Sequence, residues 1–415
     1  MSKLALHGGK PVRTEGPNST WPAWDEREKE ALAAVIDSGT GQYGIGEQGT
    51  KLEEELAEWM GCKYALCTIN GTETMTIALK AAGVGPGDEV IIPAMTFIAC
   101  PLAVLLAQAV PVLADIKADN VALDPAAIEA NINGNTKAVM VVSLYGVPAD
   151  MDAMLDICES HDLLLLEDVA QAQGSAWRGK HVGTIGDIGS LSFHGAKTMT
   201  SGDGGAIVTD DKELRDLCQA YRQFGTPFEG SEQDYAVTGG NYRMTEFAAA
   251  VCRVQLTRVN DLIAKRNESA QILDEMLANV PMVKPLQFPE QVTRRSYLNY
   301  VMHYDAEAAG GVHRNVFAKA VKAEGVGLGF GYPCLINELP LLGGPLRERD
   351  RDRFFGRKID YASQEFPQAR DIVDNTLMTI HQSWLLADAQ VVRDLGKAMR
   401  KVAENIEELK DEPRE

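Results

Sequence analysis

Leu163-Leu164-Leu165-Leu166-Glu167-Asp168-Val169-Ala170-Gln171-Ala172 is the stretch that decides the fold. Four leucines ahead of a charged pair are strand-sized, and an apolar strand without polar alternation belongs in a sheet covered on both faces. Open parallel sheets gather ligands at the carboxyl ends of their strands, and here that end carries Asp168. A buried carboxylate is costly unless a cation or several donors meet it. Asp168 therefore faces a ligand or caps the following turn. Gln171 follows three residues later, close enough to face the same ligand.

Outward from this strand the pattern alternates. Upstream, strands are expected at 64–69, 89–93, 110–115 and 138–144, with helices at 74–82, 99–108, 125–132 and 151–162 among them. Two helices, at 25–38 and 48–60, come first, joined by the Gly-rich loop Gly39-Thr40-Gly41-Gln42-Tyr43-Gly44-Ile45-Gly46. This order predicts an α/β fold with a mixed, mostly parallel sheet covered by helices. Downstream, 188–193 and 205–209 add strands with no helix between them, which predicts a hairpin-like insertion near the site. A long helix over 245–278 leads to a strand at 296–303, a helix at 312–324 and a C-terminal helix at 388–409. The expected organisation is an N-terminal arm at 1–24, a large α/β domain at 25–260 and a smaller α+β domain at 261–415.

The chain's 415 residues are ample for a large core, and 40 basic against 59 acidic residues leave a formal charge of −19. Apolar and charged fractions are those of a globular protein, which excludes disordered, collagenous and disulfide-scaffold classes. The acidic balance argues against nucleic acid and anionic membranes as partners, since both would repel it. A small anion in a local pocket stays open. No run reaches the ~18 apolar residues of a membrane span. Met1–Gly9 is too short and interrupted for a signal peptide. The seven cysteines are odd in number, without a Cys-x-x-Cys pair, and lie mostly in apolar surroundings. They read as buried reduced thiols of a cytoplasmic protein.

Three further constellations carry chemistry. Asn70-Gly71-Thr72 sits where a strand ends and a helix begins. A helix start offers free N–H groups to a phosphate, and Gly71 admits close approach. The same residues also make an ordinary turn and cap. Ser190-Leu191-Ser192-Phe193-His194-Gly195-Ala196-Lys197 brings small polar residues and then one lysine, followed by Ser201-Gly202-Asp203-Gly204-Gly205. A partly desolvated lysine has a lowered pKa and can form a Schiff base with an aldehyde; a lone lysine is otherwise a solvated charge. Gly239-Gly240-Asn241-Tyr242-Arg243-Met244-Thr245-Glu246-Phe247 opens the long helix, either meeting an anion or simply capping it through Thr245. In combination these are the parts that a pyridoxal phosphate site needs: backbone donors for the phosphate, a carboxylate for the pyridine nitrogen and an amine for the aldehyde.

With these motifs in order, the sequence resembles the DegT/StrS-type family of pyridoxal-phosphate sugar aminotransferases, over nearly the whole chain. The resemblance includes Leu52-Glu53-Glu54-Glu55, Gly85-Pro86-Gly87-Asp88-Glu89-Val90-Ile91, Pro93-Ala94-Met95-Thr96-Phe97 and Gly183-Thr184-Ile185-Gly186-Asp187-Ile188-Gly189, besides the motifs above. It implies a fold-type I aminotransferase using pyridoxal 5'-phosphate. Lys197 would be the Schiff-base lysine and proton shuttle. Asp168 would pair with the pyridinium nitrogen, Gln171 would bond the phenolic oxygen, and Phe97 would stack on the ring. Gly71, Thr72 and Ser192 would bind the phosphate. Asn241 would reach it from the partner subunit, which implies a homodimer with shared active sites.

Some family members that remove a hydroxyl group carry His in place of Lys197, so lysine favours transamination. The opening Leu6-His7-Gly8-Gly9-Lys10-Pro11-Val12-Arg13 is similar to the branch that aminates keto-cyclitols such as scyllo-inosose, and to aminohydroxybenzoate synthases. Ser143 and Tyr297-Leu298-Asn299-Tyr300 stand where nucleotide-sugar enzymes often have His. The implied partners are therefore glutamine or glutamate as amino donor and a cyclic keto-polyol or keto-sugar as acceptor. A nucleotide-linked keto-sugar aminotransferase and an aminohydroxybenzoate synthase-type dehydratase are the alternatives. His381 either lines the substrate pocket or is a structural histidine. A cofactor-binding sensor without turnover would be expected to lack the lysine or the acid, and both are present.

Overall fold

The computed structural model describes residues 3–226, 235–343, 355 and 359–414. In chain order the main sheet and its helices are α1 (Glu26–Ser38), α2 (Gln48–Met60), β1 (Tyr64–Thr68), α3 (Gly71–Ala81), β2 (Glu89–Pro93), α4 (Ala99–Leu106) and β3 (Val110–Ala114). They continue with α5 (Pro125–Asn131), β4 (Thr136–Val142), α6 (Met151–His161) and β5 (Leu164–Asp168). Two short strands, β6 (Ala176–Trp177) and β7 (Lys180–His181), precede β8 (Ile188–Ser192), β9 (Gly205–Thr209), α7 (Lys212–Arg222) and the long α8 (Glu246–Leu277). The smaller part adds β10 (Val283–Pro285), β11 (Val292–Arg294), β12 (Asn299–Tyr304), α9 (Arg314–Ala323), β13 (Leu377–His381) and a terminal helix, Ala389–Glu404.

Seven strands form one sheet in the order β1-β9-β8-β5-β4-β2-β3. All its ladders are parallel except those of β9, which runs antiparallel to both β1 and β8. Side chains alternate between faces along each strand. Ala138, Met140 and Val142 enter one core, while Val139 and Val141 enter the other. Both faces are buried, which is why these strands read as unbroken apolar runs. A three-stranded sheet, β10-β12-β13, holds a third core with α9, the end of α8 and the terminal helix.

Some expectations are corrected. The strands at 188–192 and 205–209 do pair as an antiparallel hairpin, but inside the main sheet and not as an insertion. β8 pairs in parallel with β5, and β9 fills the space between β8 and β1. Two strands without a helix between them must turn back on each other, and here the returning strand completes the main sheet. The C-terminal helix ends at Glu404, and Ile406–Leu409 is a separate 3-10 turn. The long helix expected over 245–278 is present as α8, with Cys252 and Val259 in one core and Leu273 and Leu277 in another. The N-terminal arm is irregular yet anchored. Leu4 is buried, and the carboxylate of Glu324 accepts from the N–H groups of Ala5 (2.8 Å) and Val12 (3.1 Å).

Candidate active site

Because β1, β2, β4, β5 and β8 point the same way, their carboxyl ends share one edge of the sheet. β1 delivers Asn70, whose side chain caps α3 by accepting from the N–H of Glu73 at 2.9 Å. The N–H groups of Gly71 and Thr72, ahead of Glu73, have no intrahelical acceptor and carry the helix's positive dipole end. Gly71 lies against β8. A Cβ there would fall 2.6 Å from the Cβ of Ser192, so a side chain cannot be accommodated without movement. Glycine brings the helix start, with Thr72, beside Ser192.

β5 delivers the two carboxylates to opposite faces. Glu167 points away from the cavity and accepts from the N–H groups of Gly183, Ile185 and Gly186, each at 2.7 Å. Asp168 points into the cavity. It accepts from the N–H of Ala170 at 3.0 Å and from the thiol of Cys100 at 3.4 Å. Both carboxyls are buried, and burial raises both pKa values. For Asp168, the Ala170 N–H, the Lys197 charge and the Cys100 thiol pull the other way, in that order.

β8 delivers Ser192, and the turn His194–Lys197 follows, closed by the Lys197 N–H on the His194 carbonyl at 2.9 Å. Nζ of Lys197 lies 5.9 Å from the centre of the Phe97 ring. Among the described residues Nζ has no hydrogen-bond partner. Burial lowers its pKa, opposed by the charge of Asp168 and then by Cys100. Gln173 steadies this strand end, donating to the Ser192 carbonyl and accepting from the Thr198 hydroxyl at 2.6 Å.

Gly71, Thr72, Phe97, Asp168, Gln171, Ser192 and Lys197 all line one cavity of about 740 Å³. Asn241 does not. It is exposed on its own chain, in a β-bridge with Gln223. The motif around it acts locally as a capped helix start, Thr245 accepting from the N–H of Ala248 at 3.2 Å. His381 does line the cavity, and its Nδ1 accepts from the N–H of Ser383 at 3.2 Å. Burial and then the charge of Arg266 lower its pKa.

Two wall residues and one buried behind the wall escape a reading by motif. Tyr332 accepts from the Gln171 amide at 2.9 Å, and its ring centre lies 6.4 Å from that of Phe97. Its only signal is the alternation of Gly325, Gly327, Gly329 and Gly331 just before it. Tyr145 sits at positive φ, an uncommon backbone for a non-glycine residue, and its N–H donates to Gln171 at 3.0 Å. Cys100 is one of several buried thiols in the sequence, and only packing places it on Asp168.

A helix start, a buried acid and a desolvated lysine thus meet on one edge of a mostly parallel sheet in an α/β fold. The chain belongs to the DegT/DnrJ/EryC1/StrS aminotransferase family, which matches residues 22–392. It is 38% identical over 417 residues to a Micromonospora echinospora protein provisionally named an L-glutamine:3-amino-2,3-dideoxy-scyllo-inosose aminotransferase, covering 98% of this chain and 99% of the relative. A second protein of that organism, an L-glutamine:2-deoxy-scyllo-inosose aminotransferase, is 34% identical, with 99% and 100% covered. Among solved structures, 3-amino-5-hydroxybenzoic acid synthase superposes with a TM-score of 0.81 at 29% identity, over 94% of this chain and all of the other. The chain is thus an aminotransferase. Among the described residues, no helix is long and apolar enough to cross a membrane.

Proposed function

We propose that this enzyme uses pyridoxal 5'-phosphate to move an amino group from glutamine or glutamate to a cyclic keto-polyol of the scyllo-inosose type. The observation that carries the reading is Asp168 and Lys197 facing one cavity that also holds the open end of α3. The site fits the cofactor on its own terms. The close approach of Gly71 to Ser192 sets the helix start beside the Ser192 hydroxyl, and backbone donors with a hydroxyl suit a phosphate oxygen. Asp168 keeps acceptor capacity for a protonated ring nitrogen. Phe97, half exposed at 49%, offers a ring face to stack on.

When bound, the cofactor supplies an electron sink for the carbon that loses its proton. The protein's share is positional and acid–base. Gly71, Thr72 and Ser192 hold the phosphate end. Asp168 keeps the far nitrogen charged. The carbonyl of the Gln171 amide is committed to Tyr145 and one of its hydrogens to Tyr332, so its other hydrogen would be free to hold the ring oxygen. Nζ of Lys197, held below its ordinary pKa by burial, takes and returns the proton at the reacting carbon. Amino donor and keto acceptor would use the same lysine in turn, giving ping-pong kinetics.

Asn241 would complete the phosphate site from the second subunit of a homodimer. Support comes from the apolar face beside it. Trp24, Ile69 and Phe247 are exposed and, with Arg243 and Met244, line a second cavity of about 650 Å³. The substrate class rests on the relatives' names and on Leu298 and Asn299 in the cavity wall, where a nucleotide-sugar site would be expected to carry histidine. The likeness to 3-amino-5-hydroxybenzoic acid synthase supports a second reading, elimination of water from a cyclic ketone. Purified protein should be yellow, and borohydride should fix the cofactor to Lys197. A panel of keto-cyclitols, keto-sugars, nucleotide-linked keto-sugars and cyclohexanone-type acids, run with glutamine, decides the substrate. Turnover of the nucleotide-linked compounds alone would refute the keto-cyclitol assignment.

A further inference from the structure

Arg266 is the least expected charge in the molecule. It stands on α8 with no solvent exposure, and no carboxylate pairs with it among the described residues. A buried, uncompensated guanidinium is costly and is retained where its geometry is used. Burial alone lowers its pKa to about 9. Its Nη2 donates to the Oε1 of Gln382 at 2.6 Å, and its central carbon lies 5.0 Å from the ring centre of Trp21. Among the described residues Nε and Nη1 have no hydrogen-bond partner.

Both neighbours of Arg266 reach the same place. Trp21 Nε1 donates to the carbonyl of Gly195 at 3.1 Å, and Gln382 Nε2 donates to the carbonyl of Ala196 at 2.9 Å. These are the two peptide groups immediately before Lys197. The Gln382 amide is fully buried, and only one orientation serves both of its contacts, with oxygen toward Arg266 and nitrogen toward Ala196. The N-terminal arm and the segment after β13 are themselves joined, the Ser19 hydroxyl donating to the Ser383 carbonyl.

We infer that Arg266, Trp21 and Gln382 form a clamp that holds the Gly195–Ala196 backbone and so sets where Nζ of Lys197 stands in the cavity. They are positioning residues, since none needs to touch cofactor or substrate. This rests on Lys197 being the cofactor lysine. The charges acting on Nζ are those of the Asp168 carboxylate on β5 and the Cys100 thiol on α4, and His194, Asp203, Tyr145, Tyr332 and His381 are the other titratable groups around its cavity. Of these, His381 feels the charge of Arg266, whereas Trp21→Phe leaves every one of them and its charged neighbours in place.

The test uses the cofactor-loaded enzyme and two variants that each remove one leg. Trp21→Phe keeps a ring over Arg266 and loses the donor to Gly195. Gln382→Glu keeps an acceptor for Arg266, now a charged one, and loses the donor to Ala196. Each should melt near wild type, move the pH midpoint of the cofactor's visible absorbance, and lower kcat about tenfold with KM little changed, as small misplacements of a reacting group do. Combining them should shift the midpoint further. Folded variants with wild-type midpoint and kcat would overturn the clamp. Arg266→Met also relieves the Arg266 charge on His381, so it is read by kcat, which should fall as in the other two variants. Wild-type protein that borohydride fails to label at Lys197 would instead overturn the cofactor reading on which the clamp rests.

Discussion

The two faces of β5 hold one buried carboxylate each. On one, Glu167 is saturated by three backbone N–H groups that pin the loop 183–186 against the strand. On the other, Asp168 has one N–H and one long thiol contact, and opens on a cavity that contains an amine. Neighbours in sequence and alike in burial, they differ in how much acceptor capacity is left over. A carboxylate with every lone pair matched is a structural tie. One left partly unmatched beside a cavity is prepared for a cationic ligand.

The strongest way to break this comparison is to empty the cavity face of its amine. Lys197→Ala should lower kcat by about 10³-fold or more, as loss of a combined nucleophile and acid–base group does. It should also abolish borohydride fixation of the cofactor. Normal turnover would mean that the cavity face is not the catalytic one.

The two carboxylates themselves come next. Asp168→Asn should lower kcat by about 10²-fold, since a preorganised charge is lost. The apo-protein should melt no lower than wild type, because an underpaired buried charge has been removed. Glu167→Gln should do the reverse. It leaves backbone donors unmatched, which costs about 1–3 kcal/mol, visible in the urea midpoint, while the folded enzyme keeps its kcat. If both variants lost activity and stability alike, the contrast between the two faces would be void.

Gly71→Ala sharpens the picture at the phosphate end. The new Cβ meets Ser192 and should cost about 1–3 kcal/mol of stability through overpacking. Cofactor affinity, followed by absorbance titration, should weaken as well. Retained affinity with lost stability would show that Gly71 serves packing alone.

The smallest effect is a pH dependence in the apo-protein. Burial lowers the pKa of Lys197 below its usual 10.5. Between the folded and unfolded midpoints the folded state binds fewer protons, so this group makes stability rise with pH there. Below the folded midpoint the ammonium is buried at full cost. Lys197→Met should flatten that rise in urea midpoints collected up to pH 10.5. An unchanged slope would show that the amine is not desolvated in the apo-protein.

Much of this site is legible in the sequence. The helix-start glycine, the strand-end acid and the lysine after β8 lie in short motifs, and short motifs report local geometry. The motif around Asn241 reads both as an anion site and as a helix cap, and a single chain displays the cap, through Thr245. Tyr332, Tyr145 and Cys100 were not legible, because each gains its role from a neighbour far away in sequence. The strands at 188–192 and 205–209 show the same limit. Their existence was written in local pattern, yet the place of β9 between β1 and β8 depends on pairings that pattern does not encode.

By itself the sequence determined that apolar strand runs alternate with helices, so a mostly parallel sheet forms and its carboxyl ends collect on one edge. Period and handedness are local properties, and they suffice for that. Only the tertiary structure decided which groups are left unmatched. It set Cys100 on Asp168, Tyr332 on Gln171, and Arg266 behind the lysine turn through Trp21 and Gln382, which lie 174 and 186 residues away from the carbonyls they hold. Such contacts depend on how separate elements pack, and burial acts on whatever packing brings together.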